Sequence, residues 1–146
     1  MMQRVDFYIL PDNDPLDRFV CQLAGKALQS GSKLFIQTDD TATAARLDDL
    51  LWTFHDISFI PHQILEPELT PVTPILIGTA DADPPVDYDV LLNLGSDLPV
   101  KLDRYQRILE IVGGDAERIQ LARERYRSYR SQGCELHDHK IGDENG

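Results

Sequence analysis

Apolar residues along this chain fall into short runs separated by polar and proline-rich turns, and the length and period of each run predict its element. Val5–Leu10 (VDFYIL) is apolar and aromatic and is closed by PDNDP, which reads as a strand and a turn. Asp14 is placed to cap a helix with Pro15 at its first position. Phe19, Leu23, Ala27 and Leu28 then share one face until Ser30-Gly31-Ser32 ends the run. KLFIQT at 33–38 predicts a second strand. DDTATAARLDDLLWTF at 39–54 predicts a second helix, acidic in its first turn, with Ala44, Leu47, Leu51 and Phe54 on one side. ISFIP (57–61), PILIG (74–78), VLLNL (90–94) and RILEIV (107–112) predict further short strands, with loops at 62–73 and 79–89. After Gly113-Gly114, residues Asp115–Ser131 predict the last helix, and 134–146 reads as a solvated C-terminal tail. Strands alternating with helices predict a single three-layer α/β domain over 1–146 with a mostly parallel central sheet.

Such a fold invites a nucleotide, but the turn after the first strand argues against one. A pyrophosphate needs glycines there, because only bare backbone can approach it at a helix N-terminus. The sequence PDNDPLD has no glycine and three aspartates, and no G-x-x-x-x-G-K-[ST] occurs anywhere. The fold is therefore expected to be Rossmann-like without a phosphate-binding loop.

Length, at 146 residues, suits one domain that buries roughly 70% of its unfolded surface. Charge changes the picture more. The chain carries −11 overall, which disfavours adhesion of its whole surface to nucleic acid or anionic membrane. From Asp115 to Arg130, however, five arginines stand against Asp115, Glu117 and Glu124, a local +2 that leaves −13 for the remainder. A segment of opposite sign to its protein reads as a docking site. Cys21 and Cys134 do not make a disulfide framework. No signal-like segment and no apolar run of membrane-spanning length occurs, so a cytoplasmic protein is expected.

Candidate chemistry is sparse. Cys134, His137 and His139 supply three possible zinc ligands, but a structural site wants four and no fourth stands at a standard spacing. His55 and His62 flank Phe59 without a nucleophile in a recognisable setting. The aspartate pairs 39/40 and 48/49 read most simply as a solvated face. No catalytic residue, no metal and no cofactor is expected. Trp52 lies about 100° around its helix from Leu51. Trp52 and Phe59 are thus either core or an exposed aromatic patch of the kind that marks partner surfaces.

The last helix is the informative segment. Arg123, Tyr126, Arg127 and Arg130 recur at i, i+3, i+4 and i+7 on one face, with Ile119, Leu121, Ala122 and Tyr129 toward the sheet. Guanidinium forks beside an aromatic ring suit a carboxylate attached to an apolar side chain, whereas duplex DNA demands a wider basic footprint. Direct binding of single-stranded nucleic acid through the tyrosines and arginines, and an orphan α/β nucleotide-binding enzyme, are the rival readings.

FYIL, SGSKLFIQTDD, ARLDDLLWTF, SFIPH and LARERYRSYRSQG, in this order, resemble the chi subunit of bacterial DNA polymerase III, an accessory protein of the clamp-loader complex. Residues 63–90 carry no such likeness. The resemblance implies a non-catalytic α/β adaptor with two faces. One binds the psi subunit and maps onto Trp52 and Phe59, a surface that an accessory helicase also uses in some members. The other binds the acidic, phenylalanine-ended C-terminal tail of single-stranded DNA-binding protein and maps onto Val112, Arg123 and Tyr126, with Arg118, Arg127 and Arg130 beside them. Arg123 is implied to clamp carboxylates while Val112 and Tyr126 line the phenylalanine pocket. Where the family has a lysine four residues before the arginine, this chain has Ile119, with Arg118 adjacent.

Overall fold

The structure, a computed structural model, describes residues 3–11, 16–53, 61–66, 73–79, 84–85, 87–95, 104–113 and 116–140. Its elements in chain order are β1 (Arg4–Ile9), α1 (Leu16–Gln29), β2 (Leu34–Thr38), α2 (Thr41–Thr53), β3 (His62–Ile64) and β4 (Ile75–Thr79). They continue with β5 (Val90–Asn93), β6 (Arg107–Val112), α3 (Ala116–Ser131) and β7 (Glu135–Lys140). The strands form one sheet in the order β3-β4-β2-β5-β6-β1-β7, and every pairing is parallel.

A parallel sheet must be covered on both faces, and alternation along β1 shows how this is done. Tyr8 and Leu10 join the cluster under α1 and α2, built on Phe19, Val20, Leu23, Ala24, Leu47 and Leu51. Val5 and Phe7 point the other way, into a cluster with Tyr88, Tyr105 and Tyr129 beneath α3. The expected α/β architecture with a largely parallel sheet is what the chain forms.

Helix ends follow local chemistry. Asp40 caps α2, its Oδ1 accepting from the Thr43 amide at 2.8 Å, so the predicted acidic first turn is a cap residue before the helix. Both α1 and α3 end on a left-handed glycine, Gly31 at φ 77° and Gly133 at φ 84°. The amides of Gly31 and Ser32 return to Leu28 and Ala27, and those of Gly133 and Cys134 to Arg130 and Tyr129.

Three expectations need correction. The segment read as a solvated tail, 134–146, contains β7, which pairs with β1 along the sheet edge. Its sequence ELHDHK is polar because an edge strand with alternating charges resists pairing with other chains, and that polarity hid the strand. The region 62–73 read as loop contains β3, while 57–60 of the predicted ISFIP strand lie outside the described residues, as does Phe54. Leu121, expected toward the sheet, is 37% exposed.

One buried charge ties the outer strands together. Asp6 on β1 is fully buried, and its carboxylate accepts from Arg4 Nε at 3.1 Å, Arg107 Nε at 2.7 Å and His139 Nε2 at 2.8 Å. His139 also stacks on Tyr8 at 4.8 Å. Burial alone would raise the Asp6 pKa, but the hydrogen bonds from Arg4, His139 and Arg107 outweigh it and hold the value at about 2. A carboxyl depressed in the fold stabilises above its ordinary pKa and loses that contribution as pH falls toward the folded value. Stability should therefore drop between about pH 4 and pH 2, and Asp6→Asn should flatten that part of the profile. Chemical denaturation followed across this window checks the expectation, and an unchanged slope in the variant would exclude Asp6 as its source.

Candidate functional site

The α3 face carries a groove between the helix and strands β1, β6 and β7. It is lined by Phe7, Ile9, Val112, Ile119, Ala122, Arg123, Tyr126 and Asp138 and has a volume of about 260 Å³. Each residue arrives there by element geometry. Phe7 and Ile9 are two apart on β1, and Val112 pairs with Ile9 across the β1–β6 ladder. Ile119, Ala122 and Tyr126 lie at i, i+3 and i+7 on α3, one helical stripe. Tyr126 packs its ring 5.4 Å from that of Phe7. The floor is thus apolar and aromatic, while Arg123 and Asp138, both exposed, supply charge at the rim.

Val112, Arg123 and Tyr126 are therefore brought together around one groove. Arg127 and Arg130 are exposed on α3 and do not line it. Arg118 lies within α3, but its side chain is outside the described residues. Ile119 does line the groove and packs against the buried cluster, extending the apolar floor where the resemblance would place a lysine.

Arg125, which the sequence reading passed over, has a different task. Its Nη1 donates to Glu110 Oε1 at 2.7 Å, and its Nη2 donates to the Gly95 carbonyl. Tyr129 OH donates to Glu110 Oε2 at 2.5 Å and Asn93 Nδ2 donates to the same oxygen at 3.0 Å. Burial raises the Glu110 pKa, with the Arg125 charge pulling it back, and burial followed by the Glu110 charge raises that of Tyr129. The signal was available: Arg125 and Tyr129 are four apart, and RILEIV carries one acid in an otherwise apolar strand. This network borders a second cavity of about 220 Å³ at the C-terminal ends of β5 and β6, which also takes in Asp39, Glu117 and Leu121.

At the other sheet edge, Trp52 projects from the end of α2 and is 54% exposed. Its ring lies 4.7 Å from that of buried His62 on β3, and His62 Nε2 stands 3.1 Å from Asp48 Oδ1. Asp48 is therefore not a purely solvated charge. Phe59 lies outside the described residues. Of the possible zinc ligands, Cys134 is buried while His137 and His139 turn to Glu135 and Asp6. No group of three metal-ligating side chains occurs among the described residues. No helix among them is long and apolar enough to cross a membrane.

Fold and groove together define a class: a parallel α/β domain whose C-terminal helix, rather than a glycine loop, presents the exposed cleft. A crystal structure of T4 UvsW shares the fold, with a TM-score of 0.69 over 96% of this chain and 41% of that one, at 8% identity. The family described as DNA polymerase III chi subunit, HolC, matches residues 2–137, and the chain belongs to that family. The DNA polymerase III subunit chi of Pseudomonas aeruginosa is 36% identical over 143 residues, covering 96% of this chain and 98% of the relative. That of Haemophilus influenzae is 31% identical over 144 residues, covering 97% and 100%. The Escherichia coli K12 protein is 29% identical over 142 residues, covering 92% and 96%.

The two arginines predict opposite phenotypes. Arg125→Ala strands a buried carboxylate and should cost about 3–5 kcal/mol of stability. Arg123→Ala removes an exposed charge and should change stability by less than about 1 kcal/mol. Urea denaturation of both variants checks the contrast, and equal losses would contradict it.

Proposed function

We propose that the chain is a non-catalytic adaptor of the DNA polymerase III holoenzyme. It links the clamp loader, through psi, to the acidic C-terminal tail of single-stranded DNA-binding protein. The observation that carries this reading is the convergence of Val112, Tyr126 and Arg123 on one apolar groove with a guanidinium at its rim. At about 260 Å³ the groove falls below the usual range for small-molecule clefts and suits one large side chain. A terminal phenylalanine fills the floor, contributing about 1.5–3 kcal/mol of burial, while Arg123 forks two hydrogen bonds to a carboxylate. DNA is then reached through the protein that coats it, which suits a chain of charge −11. Arg127 and Arg130, exposed on the same helix, add attraction without lining the pocket, and Arg118 is assigned beside them from sequence.

Trp52 is the proposed psi anchor, with Phe59 assigned beside it from sequence, and an accessory helicase is a second candidate user of that surface. An exposed indole braced by a buried imidazole is the kind of rigid aromatic that dominates interface energies. A replication subunit of this kind belongs in the cytoplasm and needs no cofactor.

The decisive experiment is calorimetry against a synthetic acidic peptide ending in phenylalanine. Arg123→Ala should lose about ten- to a hundred-fold in affinity, the equivalent of about 1.5–3 kcal/mol for hydrogen bonds to a charged group. Arg123→Lys should recover part of the loss, because an ammonium meets a carboxylate only as a point charge. Removing the terminal phenylalanine should weaken binding at every salt concentration, since apolar burial is not screened. Wild-type affinity in Arg123→Ala would put the tail site elsewhere. Binding of naked oligonucleotide, or a rise in melting temperature with nucleotide, would favour the rival readings instead.

Trp52→Ala should weaken psi binding while leaving peptide affinity and melting temperature near wild type, because the residue is already about half exposed. A core aromatic cut to alanine costs about 3–5 kcal/mol. A large fall in melting temperature would therefore assign Trp52 a packing role.

A further inference from the structure

The groove has two charged rim residues, and they are of opposite sign. Arg123 stands on α3, and Asp138 stands on β7 across the apolar floor. Asp138 pairs with Phe7 in the β1–β7 ladder, so it occupies the first sheet position beyond the aromatic floor. Two residues earlier on the same side of β7, Leu136 packs against the buried cluster under α3. Continuing that apolar pattern would have carried the floor to the sheet edge, but the chain places an exposed carboxylate there instead. No hydrogen bond or ion pair neutralises Asp138 among the described residues, nor does one occupy Arg123.

We infer that Asp138 is a specificity-determining residue of the groove. It repels ligand carboxylates from the sheet side and so holds an acidic peptide with its charges toward α3 and an uncharged side chain over Phe7. This rests on the groove being a peptide site, and it adds which peptides that site admits and in which orientation. A carboxylate on a ligand midway across the groove is drawn by Arg123 and pushed by Asp138 at once, so the two charges act as a directional pair. A peptide bound the other way round would set its acidic residues against Asp138 and its apolar end against a guanidinium. The same repulsion lowers the affinity for every acidic ligand, which makes Asp138 an attenuator as well as a guide.

The inference is tested with Asp138→Asn, which keeps shape and removes charge, and with Asp138→Lys. The probes are the acidic phenylalanine-ended peptide and a copy whose aspartates are replaced by asparagine. At about 0.1 M ionic strength, where the Debye length is about 10 Å, Asp138→Asn should bind the acidic peptide about two- to fivefold more tightly, and Asp138→Lys more tightly still. The gain should shrink for the asparagine copy, and for the acidic peptide at about 1 M salt. If wild-type protein binds the acidic peptide and both variants bind it no better, Asp138 does not read the ligand and the inference is wrong. Altered self-association of the variants with unchanged peptide affinity would likewise overturn it, leaving Asp138 as protection for an exposed sheet edge. Failure of the wild-type protein to bind either peptide would instead remove the peptide reading of the groove itself.

Discussion

Glu110 sits in the middle of β6 with its side chain withdrawn from water, and a carboxylate in that position must be answered by donors from the layer above. Arg125 and Tyr129, one turn apart on α3, supply them, and Asn93 on the neighbouring strand completes the set. An unanswered charge there would cost several kcal/mol, so the helix has little freedom to slide or roll over the sheet. Helical geometry does the rest. With 125 and 129 fixed against Glu110, residues 119, 122 and 126 form the stripe over Phe7 and Val112, and 123 comes out at its edge. The groove is thus a consequence of how the helix is anchored, and the residues that line it need not hold the helix down themselves.

That division of labour explains a helix so rich in arginine. Side chains of one type perform two physically different tasks on it. Arg125 is nearly buried and bonded to a partner in its own chain, while Arg123, Arg127 and Arg130 remain in solvent. Composition alone sums them into one basic segment. Burial separates them, because a guanidinium already answering Glu110 has little left to offer a ligand.

Much of the fold was legible because buried parallel strands read as near-continuous apolar runs. RILEIV coincides with β6 and PILIG nearly with β4. The strands that escaped notice, β3 and β7, are the two edges of the sheet, where selection against aggregation replaces apolar residues with histidine, aspartate and lysine. The groove was half legible. Periodicity gave Tyr126 and Arg123, and the resemblance gave Val112. Phe7 and Ile9 were already read as a strand, yet nothing in the sequence says that β1 lies beside β6, since that pairing joins residues about a hundred positions apart. Asp138 was invisible for a compound reason: it lies on a strand that was not expected, next to a strand whose position was not known.

In the proposed adaptor role, sheet order also decides how two partners would share so small a chain. Trp52 and its His62 brace belong to the β3 edge on the α2 side, and the groove belongs to the β1–β7 edge on the α3 side. Six interstrand steps separate β3 from β7, roughly 29 Å at about 4.8 Å per step. That exceeds the Debye length at physiological salt by more than threefold, so charges at one edge are screened from the other. In the proposed adaptor role, occupancy of one surface should therefore neither block nor promote occupancy of the other, and the link between the two partners is mechanical: a rigid bar about seven strands wide with a docking point at each end.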